Sequence, residues 1–177
     1  MKGQLLAGQI LLIICFVIYC IWWYRGFRPG INVSRVNGLN GLLLAVTALT
    51  GAIGIALSLL STSMASPLIS PAAILIGGVA GYIVLLLITR FLFDRIVTSE
   101  LLLIVVWTLL EIWVICSGIL PESRFWTMIA VIAVAFVISK ICYVAYYKME
   151  EMKAFYTAMV PLVLGIVSMT VLVLMVR

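Results

Sequence analysis

The chain has 177 residues, 66% of them apolar, with 11 basic and 6 acidic side chains, no histidine and a formal charge of +5. A soluble domain carries about 25% charged residues, and a chain with 10% is excluded from that class and reads as a membrane protein. Absence of histidine removes bis-histidine haem ligation, the usual zinc sites and histidine general-base catalysis, so no cofactor and no metal are expected and an enzyme is the weakest of the functional classes.

Apolar runs of 18 or more residues recur, each long enough to cross a hydrocarbon core about 30 Å thick. The expected fold is an all-α polytopic membrane protein, a compact six-transmembrane-helix bundle forming one domain over 1–177. Its spans fall at about 5–24, 39–61, 72–93, 100–119, 125–147 and 154–176. The first follows Lys2 as a signal peptide would, but it is too long and ends in aromatic residues and Arg25 instead of a small-residue cleavage site, so it reads as a retained helix. Gln4 and Gln9 mark its start. Tyr19, Trp22, Trp23 and Tyr24 at its end read as a ring belt at the headgroup level. Cys15, Cys20, Cys116 and Cys142 form no CxxC pair and read as small buried hydrophobes.

The loop 25–38 carries Arg25, Arg28 and Arg35 with no acidic residue, the mark of a cytoplasmic connection that meets anionic headgroups. Asn32-Val33-Ser34 matches a glycosylation pattern, but on the wrong side for it. The second span is rich in small residues, among them Gly51 and Gly54, which let helix backbones approach in lipid. Its Thr47, Thr50 and Ser58 either bond back to the preceding turn or line a polar seam. An uncharged linker over 61–71 suits an external loop, and Pro71 suits the first turn of the next helix. That third span contains Gly77, Gly78 and Gly81, the outer two a GxxxG pair that favours a close helix crossing. Arg90 and Asp94 at its end are spaced for an ion pair.

The fourth span holds the least explained residue in the chain. Glu100 has a reason to be where it is, because an acidic group in a first turn complements the helix dipole. Glu111, about three turns further in, has none. A carboxylate facing lipid there costs about 3 kcal/mol on an insertion scale, so such residues are candidates for ion or solute pathways. Trp107 lies one turn away and would shape a cavity beside it. The fifth span carries Lys140 about 10 Å inside its end, able to snorkel outward or to face the bundle. The sixth contains Pro161, where a bend is expected because proline removes one helix hydrogen bond, and then Gly165 and Ser168.

The connections after the first, third and fifth spans, with their flanks, hold Arg25, Arg28, Arg35, Arg90, Arg95, Lys140, Lys148 and Lys153, against Lys2, Arg124 and Arg177 on the other side. This bias places both termini outside a cell inner (plasma) membrane. A faint echo between 14–19 and 141–146 is compatible with repeated hairpins, although aromatic belts also produce such matches. No Walker motif, potassium-filter sequence or nucleophile elbow is present.

Three functional classes follow. The first is a small transporter or channel, alone or as a homo-oligomer, in which Glu111 binds a proton or cation, with Trp107, Thr47, Thr50 and Ser168 around it. The second is a non-catalytic membrane subunit whose Glu111 pairs with a partner helix. A lipid-modifying enzyme is the third and weakest, for lack of any catalytic spacing. The expected partners are membrane lipids and membrane proteins, with no nucleic acid.

Overall fold

A computed structural model describes residues 2–30, 37–62, 70–93, 99–146 and 148–177. Arg35, the glycosylation-like triplet, most of the uncharged linker, and Asp94, Arg95 and Thr98 lie outside the described residues. The chain forms six helices, α1 (Lys2–Phe27), α2 (Gly38–Ser61), α3 (Pro71–Phe93), α4 (Ser99–Cys116), α5 (Glu122–Tyr146) and α6 (Glu151–Val176). Among the described residues, α1, α2, α5 and α6 are each long and apolar enough to cross a membrane, and α3 and α4 add shorter apolar stretches, Ile76–Ile88 and Val105–Cys116. The protein is an all-α, multi-pass membrane protein.

Three boundaries follow from local chemistry. Pro71, with no N–H to lose, opens α3. The fourth helix stops at Cys116 and not at 119, because Gly118 adopts a positive φ of 74° that reverses the chain. Arg124 donates from its guanidinium to the main-chain carbonyl of Met175, satisfying one of the orphan acceptors in the last turn of α6. Pro161 sits inside the unbroken α6 and is buried there.

Helix packing is uneven. The pair α1 and α2 has the most extensive contact, with a crossing set by glycine: a Cβ on Gly8 would lie 2.6 Å from Ser58 Oγ and 2.9 Å from the main-chain oxygen of Gly54. A Cβ on Gly54 would in turn meet Leu12 at 2.8 Å and the Gly8 oxygen at 3.0 Å. Gly51 stands against Cys15, and Gly165 of α6 against the Phe16 ring. Close backbone approach of this kind is how helices gain packing energy in lipid. In α3 the close approach belongs to Gly78, against Leu109. The GxxxG residues Gly77 and Gly81 have no atom within 4 Å of where a Cβ would point. The motif is present, but its face meets no helix among the described residues.

Alone among the six, α4 touches four other helices, α2, α3, α5 and α6, within the described residues. Two apolar clusters form the core around it. One gathers Leu5, Val114, Ile115, Met128, Leu172 and Val176, and the other Leu12, Phe16, Tyr19, Trp107, Leu110, Leu162 and Met169. The aromatic belt expected at the end of α1 is divided between core and flank. Tyr19 and Trp23 are buried, and the Trp23 ring stacks on Phe27 at 4.3 Å and lies parallel to Phe155 of α6 at 6.5 Å. Because α1 adjoins α6, these rings have protein on one side where headgroups alone were expected.

Candidate polar layer inside the bundle

Glu111 lies on the face of α4 that turns into the bundle and is 0% exposed. Leu110 on one side of it belongs to one apolar cluster and Val114 on the other side to the second, so the carboxyl sits at the seam between the two. The same seam can be traced on the neighbouring helices. On α1 it passes between Leu5 and Leu12, where Gln9 is 1% exposed. On α6 it passes between Met169 and Leu172, next to Ser168, also 1% exposed. Glu111, Gln9 and Ser168 are thus the buried polar side chains that α4, α1 and α6 carry near the boundary between the two apolar clusters.

Hydrogen bonding among these groups is incomplete. Gln9 donates from Nε2 to Ser58 Oγ on α2 at 3.4 Å, a long bond. Its Oε1, both oxygens of Glu111, Ser168 Oγ and the indole nitrogen of Trp107 have no hydrogen-bond partner among the described residues. Trp107, one turn before Glu111, is turned toward the carboxyl without completing a bond to it. Buried polar groups in folded proteins are nearly all paired, so several unpaired ones are a signal in themselves. A carboxylate held there without a counterion costs several kcal/mol.

The other expected residues lie elsewhere. Thr47 Oγ1 donates back to the Leu43 carbonyl at 2.8 Å, and Thr50 Oγ1 to the carbonyls of Val46 at 2.8 Å and Thr47 at 3.1 Å. Their capacity is used within α2. Ser58 is the residue of α2 at the level of Gln9, and Thr47 is about 16 Å from it along the axis. Trp107 lies beside Glu111 on α4 and Ser168 is buried on α6, while Thr47 and Thr50 lie on the α1–α2 seam, where the Cys15 thiol donates to the Thr47 carbonyl at 3.2 Å. Of the basic cluster, Arg28 folds back on Tyr24, bonding its hydroxyl and covering its ring, while Arg25 keeps a buried Nε without a partner among the described residues. Among the described residues, no group of three or more metal-ligating side chains occurs.

Sequence reasoning names Ser58 as a candidate for a polar seam but takes Gln9 for a marker of the helix start. The available signal is that Gln9 stands five residues inside the apolar run that starts at Leu5, counting both ends, too deep for a terminal marker. No protein family matches the chain, and neither the curated proteins nor the solved structures contain a significant match.

Proposed function

We propose that this protein is a small membrane carrier in which Glu111 takes up and releases a proton or a small cation. The observation that carries the reading is the complete burial of a carboxyl with neither oxygen hydrogen-bonded among the described residues. Intramembrane carboxyls facing a bundle interior mark ion and proton pathways. The subunit alternative places Glu111 against a helix of another chain. Its burial within its own chain does not serve that role. Because the carboxyl is closed off, turnover in this reading includes a movement of α4 relative to the α1–α6 pair that exposes it.

In this reading the chain crosses the plasma membrane six times with both termini outside, on the strength of the basic residues gathered at one end of the helices. A periplasmic reporter enzyme fused at either terminus is then active. Activity only for a reporter that functions in the cytoplasm would reverse the orientation.

The carrier reading is tested by difference infrared spectroscopy of the lipid-reconstituted protein against Glu111→Gln, across pH and with sodium or potassium. The expected result is a carboxyl band that is lost as pH rises or as one cation is added, with flux of that ion in proteoliposomes falling at least about tenfold in Glu111→Gln, as for loss of a group acting directly on the ion. A carboxyl band indifferent to every condition would show a sealed structural group and end the carrier reading.

A further inference from the structure

The groove on the outer side of α4 is independent of Glu111. Among the described residues α3 packs on α4 alone, and α5 packs on α4 from another side, so α3 and α5 flank it without meeting. Between them lies an open cavity of about 510 Å³. Its walls are Gly77, Gly81 and Leu85 of α3, Leu109 of α4, and Ile132 and Phe136 of α5. Gly77 and Gly81 present bare backbone to it, with nothing within 4 Å of their missing Cβ positions. The volume is within the range of small-molecule sites.

At one end the character of the groove changes. Lys140 lies one turn beyond Phe136 on α5, and its Nζ sits 5.0 Å from the centre of the Phe136 ring. That ammonium is buried and has no hydrogen-bond partner among the described residues. Arg90, exposed in the last turn of α3, stands at the same end, because α3 and α5 both run toward it. The groove thus joins an apolar slot to a cation unpaired among the described residues, placed where a long lysine stem reaches toward the headgroup level.

We propose that this groove binds an anionic phospholipid, with one acyl chain in the slot between α3 and α5 and the phosphate on Lys140. An apolar segment of a second copy would fill the slot but leave the ammonium unmatched. An anionic phospholipid matches both ends.

The test is electron spin resonance of chain-labelled phosphatidylglycerol and phosphatidylcholine in vesicles holding the full chain, which reads the fraction of lipid held still by the protein. Phosphatidylglycerol is expected to be retained several-fold better than phosphatidylcholine. Lys140→Gln brings that ratio close to one, Lys140→Arg keeps it, and Gly81→Leu lowers retention of phosphatidylglycerol by filling the slot. Helical content measured on each variant separates loss of the site from loss of the fold. A preference that survives Lys140→Gln overturns the headgroup assignment. Retention unaffected by Gly81→Leu overturns the slot, as does a Gly81→Leu variant whose oligomeric mass changes while its lipid retention does not.

Discussion

Replacing Glu111 by methionine is expected to make the folded bundle more stable, by about 2 kcal/mol, and, in the proposed carrier, to abolish ion uptake. Most substitutions of fully buried residues destabilise a protein. Glu111 is different because its side chain is 0% exposed and neither oxygen has a hydrogen-bond partner among the described residues. A buried polar group left unpaired costs about 1–3 kcal/mol, and replacement by an apolar side chain of similar volume recovers much of that. Methionine matches glutamate in length and bends to fit irregular gaps. Leu110 and Val114 on either side of the position offer it apolar neighbours. Reversible unfolding in mixed detergent and lipid micelles measures the difference. A fall in stability on Glu111→Met, comparable to that of truncating a core leucine, would mean that the carboxyl is bonded in the folded state and that its role is structural.

The second large effect is expected at the α1–α2 crossing, where Gly8→Leu should destabilise the fold by about 3 kcal/mol, at the upper end of the usual cost of overpacking. A Cβ at Gly8 would lie 2.9 Å from the Gly54 oxygen and 2.9 Å from the Ser58 nitrogen. Both atoms are main chain, so no side-chain rotation relieves the clash, and the helices must separate. Separation also withdraws Gln9 from Ser58, its hydrogen-bond partner across the same crossing. Gly41→Leu is the control, since nothing among the described residues lies within 4 Å of its Cβ position. Equal unfolding midpoints for the two variants would show that this crossing does not set the stability of the bundle.

The helices were legible in the sequence because a bilayer imposes length: each apolar run had to be near 20 residues, and each observed helix covers its run with differences of a few positions at the ends. Glu111 was legible for a related reason, since depth along a span can be counted. What could not be counted was the direction in which a residue points. Gly77 and Gly81 carry a packing motif, yet it is Gly78 that approaches Leu109. Trp23 has the composition of a headgroup belt, and its burial depends on Phe155, more than a hundred residues away in the chain. Thr47 and Ser58 look alike on α2, and only the antiparallel register with α1 puts Ser58 beside Gln9. Each of these facts depends on which helices are neighbours, and an apolar sequence that must be apolar on every side holds little record of that.

The contact between α1 and α6 has a consequence for biogenesis. Helices leave the insertion machinery in chain order, so α4 enters the bilayer with Glu111 before the residues that enclose it on α5 and α6 have been made. During that interval α4 has only α2 and α3 of its final neighbours available to pack against it. The bundle closes when the last helix docks on the first. Assembly of the core is therefore deferred to the end of synthesis, and a chain truncated before α6 carries an unshielded acidic residue that quality-control proteases can recognise.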